Sequence, residues 1–314
     1  MGRASTILGT ALAILIVLAA SPVDAAPLSP GDILVVSEDA GTVHHYSVSG
    51  TDLGIFVSGL ASPAWMTTDN RGNIYVSEYT GNRLRKFSPS GDHLLTITTA
   101  FTPGGVAIGS DGTIYLAHYD AGAIHHYSSA GADLGVFATY AGCATGCGTD
   151  FIKFDAAGAL YVGDFQPFGR VRLISPTGVD LGNFISLDGV EGLAFDSLGN
   201  LYASSTATGA IRKYSALGTD LGVFAPAGSG FYGLAFDSAG NLYSSVTTSG
   251  TIEKFSSTGV ALGSFGVAGR DLVVVPLGGP TTKDECKHGG WETFEFPRHF
   301  KNQGDCVRFV ETGK

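Results

Sequence analysis

The chain has 314 residues, with 18 Lys and Arg against 28 Asp and Glu, which gives a net charge of -10 at pH 7. A chain this acidic repels phosphate backbones and anionic membrane surfaces, so we predict no nucleic-acid partner. Its 46 glycines and its low content of charged residues, 15%, favour short strands joined by tight turns over helices.

The N-terminal segment, residues 1–25, has the layout of a secretory signal peptide. Arg3 precedes an apolar run from Ile7 to Ala20, and a small-residue cleavage site follows at 23–25. The run is too short to span a bilayer, although an N-terminal anchor helix is the alternative. We therefore predict an exported protein, secreted, periplasmic or at the cell surface, with no membrane span after signal removal.

Residues 32–276 form an internal repeat. Gly192–Phe224 recurs as Gly233–Phe265, a step of 41 residues, and degenerate copies begin at Trp65, Gly105 and Phe151. Each full copy contains four β-type segments separated by turn residues, here named a (GLAFD), b (NLYAS), c (AIRKYS) and d (DLGVF). Four short strands per repeat are typical of a propeller blade.

The two ends of the repeat array predict how the ring closes. The chain enters at a segment b, Asp32–Glu38, and the missing segment a appears at the other end, Arg270–Pro276. One blade is therefore built from both termini, which leaves no unpaired sheet edge between first and last blade. Six d segments give six blades. The sequence predicts an all-β, six-bladed β-propeller that is feasible as a monomer.

This pattern resembles the NHL-type six-bladed propellers of secreted bacterial proteins, over roughly residues 32–276. The resemblance implies the fold, whereas function varies widely on this scaffold. More distantly, the chain is similar to the peptidyl-hydroxyglycine lyases, which bind zinc through histidines just before segment a. It also resembles gluconolactonase-like propellers, which hold a divalent cation through Glu, Asn and Asp.

Two histidine pairs, His44-His45 and His125-His126, occupy the same position of segment c. Neighbouring strand residues face opposite sides, and a whole blade separates the two pairs. They are therefore interpreted as one copied structural unit and not as two halves of a metal site. The recurring aspartates before a Gly-containing turn, such as Asp196, are interpreted as turn formers.

The positions just before segment a should ring the mouth of the central channel. Blade by blade these are Ala64, Gly104, Asp150, Glu191, Tyr232 and Arg270. The four polar residues, Asp150, Glu191, Tyr232 and Arg270, fall on consecutive blades and form the candidate ligand-binding site. The alternative is an ion-paired plug, in which Arg270 neutralises both acids.

None of the six mouth positions is His, so the resemblance to the zinc lyases predicts no zinc site. Asp150 and Glu191 would supply two oxygens to Ca²⁺ or another divalent cation, but Ca²⁺ expects six to eight. We therefore predict no cofactor, with a cation at these two acids as the alternative. Acids at the end of segment b, such as Glu38 and Glu78, are expected to bond the backbone of their own b–c turn.

All four cysteines lie outside the regular blade positions. Cys143 and Cys147 lie in an insertion between blades 3 and 4, next to Asp150, where a disulfide is predicted ahead of metal binding. Cys286 and Cys306 are predicted to bridge within a C-terminal mini-module, residues 281–314. Such a bridge would stabilise the module by about 3 kcal/mol.

The sequence therefore predicts an exported, non-catalytic propeller that recognises a ligand or partner at the channel mouth. The partner class stays open between a small molecule, a glycan and a protein. The alternative is a metal-dependent hydrolase or lyase, lactonase-like, that uses Asp150 and Glu191 as cation ligands. In that alternative Arg270 would orient an anionic substrate and Tyr232 would donate a proton. A third possibility is a purely structural protein with a plugged channel.

Overall fold

The computed structural model describes residues 26–140, 148–164, 169–225, 230–276, 283, 286–287 and 301–312. The strands, in chain order, are β1 (Ile33–Ser37), β2 (Thr42–Tyr46), β3 (Asp52–Val57), β4 (Pro63–Thr68), β5 (Ile74–Glu78), β6 (Arg83–Phe87), β7 (His93–Thr98), β8 (Pro103–Ile108), β9 (Ile114–His118), β10 (Ala123–Tyr127), β11 (Asp133–Thr139), β12 (Thr149–Phe154), β13 (Leu160–Asp164), β14 (Arg170–Ile174), β15 (Asp180–Ser186), β16 (Val190–Phe195), β17 (Leu201–Ser205), β18 (Ala210–Tyr214), β19 (Asp220–Ala225), β20 (Phe231–Phe236), β21 (Leu242–Val246), β22 (Thr251–Phe255), β23 (Ala261–Phe265) and β24 (Asp271–Val274). A helix, α1 (Gln303–Thr312), lies near the C-terminus.

The strands form six four-stranded antiparallel sheets, which are the six predicted blades. Blades 2 to 6 each use four consecutive strands, from β4–β7 to β20–β23. Blade 1 has the order β24-β1-β2-β3, with Ile33 opposite Val274. The six-bladed propeller closed by strands from both termini is therefore confirmed.

The hydrophobic core is divided among the interfaces between neighbouring blades. Six clusters of buried side chains join neighbouring blades, and the cluster between blades 4 and 5 also includes Ala64 and Trp65 of blade 2. The cluster that completes the ring packs Ile33 and Tyr46 of blade 1 against Tyr243 and Ile252 of blade 6. Strand-forming aliphatic and aromatic residues on both sheet faces thus bury against two neighbours, which fixes the inner strands around the channel.

The recurring aspartates form turns, as predicted. Asp196 Oδ1 accepts hydrogen bonds from the backbone N–H groups of Leu198 and Asn200. Its other oxygen contacts Lys213, at 3.2 Å, while Lys213 also lies 4.9 Å over the ring of Tyr202. The same Asp–Lys–Tyr contact recurs in blades 2 and 6.

The histidine pairs lie at the place in blades 1 and 3 that corresponds to this Asp–Lys–Tyr contact. The second histidine of each pair stands at the strand position that Lys213 occupies in blade 5. In blade 1 the a–b turn is broken by the chain ends, and His45 Nε2 instead contacts Asp32 Oδ2 at 2.7 Å. In blade 3, His126 stacks on Tyr115, with ring centroids 6.1 Å apart. Each pair therefore has its own partners, which supports the interpretation as a copied unit.

Candidate functional site

Irregularities in the inner strands place the side chains at the channel mouth. In five blades the residue predicted to ring the mouth lies at a register shift between the first and second strands. These residues are Ala64, Gly104, Asp150, Glu191 and Tyr232. In blade 1 the equivalent Arg270 directly precedes β24. Bulges re-aim a side chain away from the regular alternation of a strand, which explains how these residues leave the interfaces between blades.

Arg270 connects three blades across the mouth. Its Nη1 lies 3.3 Å from Glu38 Oε2, and its Nη2 lies 3.6 Å from Asp150 Oδ1. The second distance makes an ion pair but is too long for a hydrogen bond. The guanidinium also lies 5.0 Å over the ring of Trp65, within the range of a cation–π contact. Burial would lower the pKa of Arg270, but Asp150, Glu191 and Glu38 outweigh it and raise that pKa.

Asp150 and Glu191 form a buried acid pair. Asp150 is fully buried, and neither of its carboxyl oxygens has a hydrogen-bond partner among the described residues. Glu191 is 3% exposed, and its Oε2 is likewise without a partner there. Burial, together with the neighbouring Glu191, raises the pKa of Asp150 well above its ordinary range. Burial also raises the pKa of Glu191 to about 7, although Arg270 opposes the shift.

An aromatic group lies on the other side of Arg270. The ring of Tyr119 lies 5.6 Å from that of Trp65 and 5.1 Å from that of Tyr79. Trp65 is buried and its Nε1–H has no described partner, whereas Tyr79 and Tyr119 are half-buried. Burial and the charge of Asp150 raise the pKa of Tyr119 to about 12, so its hydroxyl remains a donor at neutral pH.

The structure thus brings together the four mouth residues that the sequence predicts. Tyr232 lies close enough to interact with the same group: burial raises its pKa, and the charge of Glu191 raises it further. The predicted plug forms only in part: Arg270 pairs with Asp150, but no ion pair within 4 Å joins it to Glu191 in the described chain. Its second partner is Glu38.

Sequence reasoning missed Trp65, Tyr79 and Tyr119 because they lie outside the ring position that it considered. The available signal was the pair of tyrosines that directly follow segment b in blades 2 and 3.

The prediction for acids at the end of segment b was wrong for Glu38 and Glu78. Glu38 reaches the mouth and pairs with Arg270, rather than bonding its own b–c turn. Glu78 Oε2 instead accepts from the N–H of Ala61, in the loop before segment a, and from Arg83. A glutamate is long enough to leave its own turn, which explains both results.

The residues at the mouth do not fit a resident divalent cation. They offer two buried carboxyls, of which Asp150 is already paired with a guanidinium of the same chain. Ca²⁺ takes six to eight oxygen ligands, so two carboxyls would supply only a part of them, and aromatic rings occupy the adjacent side. In the part of the chain that the structure describes, no group of three or more His, Cys, Asp and Glu side chains is arranged to hold a metal ion.

The C-terminal disulfide is present. Cys286 and Cys306 are joined, with their Cα atoms 5.6 Å apart, and Cys306 lies on α1. Disulfides of this kind persist in oxidising compartments, which is compatible with an extracellular protein. Cys143 and Cys147, like the predicted signal peptide, lie outside the described residues. Across the described ranges, no helix has the length and apolarity to cross a membrane.

Solved structures with this fold differ in function. The fold is similar to a chain of a nidogen/laminin complex, with 15% identity and a TM-score of 0.68 over 78% of this chain and 98% of that chain. It is also similar to virginiamycin B lyase from Staphylococcus aureus, with 14% identity and a TM-score of 0.60 over 77% and 83%. Regucalcin, a calcium-binding protein from Agrobacterium tumefaciens, has 16% identity and a TM-score of 0.59 over 70% and 80%.

No protein-family model matches the sequence, and no curated protein matches it. At these identities the structural similarities show the fold alone, because propellers carry both binding and catalytic functions. The function must therefore be argued from the mouth itself.

Proposed function

We propose that this protein is an exported, non-catalytic binding protein that recognises a small polar ligand at the channel mouth. The observation that carries the proposal is the set of buried polar groups without partners, above all the two carboxyl oxygens of Asp150. Leaving a buried polar group unsatisfied costs about 1–3 kcal/mol. A ligand that bonds these groups would recover that free energy, whereas a purely structural plug would be expected to satisfy them internally.

The burial of Asp150 favours binding over catalysis by this residue. A general base or nucleophile must reach the reacting atom, and its pKa must suit the task. Asp150 is fully buried and lies beside Arg270, and burial and Glu191 raise its pKa well above the ordinary range. With no exposed surface it does not reach a reacting atom in this conformation, and a ligand bonds it only by displacing the side chains that cover it.

The proposed export rests on the predicted signal peptide together with the Cys286–Cys306 disulfide. An oxidising compartment would preserve that bond. The ligand would then be a molecule that the protein meets outside the cytoplasm.

Equilibrium dialysis against a small-molecule extract of culture medium tests the proposal. Wild-type protein should concentrate at least one small molecule, detected by mass spectrometry, and Glu191→Ala should lose it. Glu253→Gln, a change of a half-buried acid on β22 away from the mouth, should retain it. Retention by Glu191→Ala, or no enriched molecule at all, would contradict the proposal.

The hydrolase alternative is examined with the same proteins. Stoichiometric Ca²⁺ and a melting shift that EDTA reverses and Glu191→Gln abolishes would replace binding by metal-dependent chemistry. We expect neither the metal nor the shift, because Arg270 already supplies a positive charge beside Asp150.

A further inference from the structure

The unsatisfied groups at the mouth are of both hydrogen-bonding kinds. The acceptors are Asp150 Oδ1 and Oδ2 and Glu191 Oε2, while the donors are Arg270 Nε and Trp65 Nε1. A ligand that completes only one kind leaves the other buried without a partner, at a cost of about 1–3 kcal/mol for each group. The ligand must therefore both donate and accept within a small volume. Hydroxyl groups do this, since each is one donor and two acceptor lone pairs.

The charge of the mouth favours a neutral ligand. The positive charge of Arg270 is opposed by the carboxylate of Glu38 and by Glu191, whose pKa of about 7 leaves it roughly half-ionised at neutral pH. Burial and Glu191 raise the pKa of Asp150, which disfavours a further negative charge there. An anionic ligand would be repelled by the acids, and a cationic ligand would be repelled by Arg270. Neither sign of charge is matched without displacing the Arg270 ion pairs.

The aromatic side chains add apolar surface beside these polar groups. Tyr79, Tyr119 and Tyr232 are half-buried, and no described residue accepts a hydrogen bond from their hydroxyls. A tyrosine presents an apolar ring and a polar tip, which suits a ligand with C–H faces edged by hydroxyls. Ala64 and Gly104 occupy two further positions of the ring and add no bulky side chain to it.

We propose that the ligand of the mouth is a neutral saccharide, held by hydroxyl contacts to Asp150, Glu191 and Arg270 against the tyrosine rings. This inference rests on the proposed function, because it names the chemical class of the ligand at the same site. A pyranose ring carries adjacent hydroxyls and an apolar face in one rigid unit. It therefore supplies the mixed donors and acceptors and also the apolar contact.

Tryptophan fluorescence provides the test, because the chain has two tryptophans and Trp65 lies at the site. The Trp291→Phe protein is titrated with glucose, galactose, N-acetylglucosamine, maltose and cellobiose. Agmatine serves as a cationic probe and gluconate as an anionic, polyhydroxylated one. We expect a saturable change of Trp65 emission with at least one neutral sugar, and about tenfold weaker binding of gluconate.

Two variants locate the binding. Glu191→Ala should weaken the sugar about tenfold or more, and Tyr119→Phe should weaken it less, because only a hydroxyl is lost. Glu253→Gln should bind as wild type does. The wild-type protein is titrated in parallel by calorimetry, so that the inference does not depend on the Trp291→Phe variant alone.

The outcomes separate this inference from the proposal on which it rests. Binding of agmatine alone, or stronger binding of gluconate than of any neutral sugar, would overturn the saccharide and leave a ligand site at the mouth. Sugar binding unchanged in Glu191→Ala and Tyr119→Phe would place it elsewhere and overturn the inference too. No response to any probe would also refute the saccharide, while the dialysis experiment decides independently whether the mouth binds a small molecule.

Discussion

Replacing Glu191 by glutamine should change how stability depends on pH. Burial raises the pKa of Glu191 from an ordinary 4.5 to about 7 in the folded protein. Between these two values the folded protein binds more protons than the unfolded chain, so stability falls as pH rises from about 4.5 through 7. The full loss is about 3 kcal/mol for this one group, since each pKa unit corresponds to about 1.4 kcal/mol. Below pH 4.5 Glu191 is protonated in both the folded and the unfolded state, so it causes no further change of stability with pH.

The glutamine variant cannot ionise at this position. We therefore expect Glu191→Gln to match the wild type near pH 5 and to exceed its stability at pH 8 by up to about 3 kcal/mol. For a chain of this size that difference raises the melting temperature by roughly 5–10 °C. Asp271, whose pKa burial raises to about 6, remains in both proteins, so its own titration cancels in the comparison. Glu191 also raises the pKa of Asp150, so the measured difference includes the loss of that shift.

The assay is thermal melting and urea unfolding of both proteins from pH 5 to pH 8.5. Glu253→Gln provides the control and should follow the wild-type curve. Parallel curves for wild type and Glu191→Gln across this range would refute the reasoning, because they would mean that Glu191 ionises as easily in the folded protein as in the unfolded chain.

Two further predictions concern the scaffold. His45→Ala removes a hydrogen-bond partner from its buried aspartate and should cost about 3 kcal/mol in urea unfolding, whereas His44→Ala, on the opposite face of the same strand, should cost about 1 kcal/mol or less. Equal losses would show that the buried pair is unimportant. Gly259→Ala places a Cβ 2.1 Å from a neighbouring carbonyl oxygen at a φ of +83° and should cost about 3 kcal/mol. Gly54→Ala, with φ +96° but nothing within 4 Å, should cost about 1 kcal/mol, and the steric argument fails if the two losses agree.

The fold was predictable because its signal is repeated. Each blade carries the same turn residues at the same spacing, so an irregular copy such as the one beginning at Phe151 is recognised from the others. The closure of blade 1 followed from a missing segment at one end and a spare one at the other. Regular backbone pairing then fixes the register of the closing strands, and Ile33 lies opposite Val274 as that closure requires.

The candidate site was predictable only in part. The repeat numbering places Asp150, Glu191 and Arg270 on one rim, because equivalent positions in a propeller share a height along the axis. It does not determine where a long side chain turns. Arg270 forms an ion pair with Glu38 and not with Glu191, and its guanidinium lies over the ring of Trp65. These contacts depend on side-chain rotamers that are set by neighbours from three blades. The repeat pattern of the sequence carries no information about these rotamers.

The pairing of β1 with β24 sets the order in which this chain can acquire its structure. Blades 2 to 6 each consist of consecutive strands, so each can form soon after its own last strand has left the ribosome or a membrane pore. Blade 1 must wait, because its innermost strand is the last of the propeller to be made. Until then β1 presents an unpaired edge, and the apolar faces of blades 1 and 6 are not yet packed together. During synthesis from the N-terminus, the ring therefore stays open between blades 1 and 6, and its unpaired edge is exposed to association with other chains. A truncation before residue 271 would make that open state permanent.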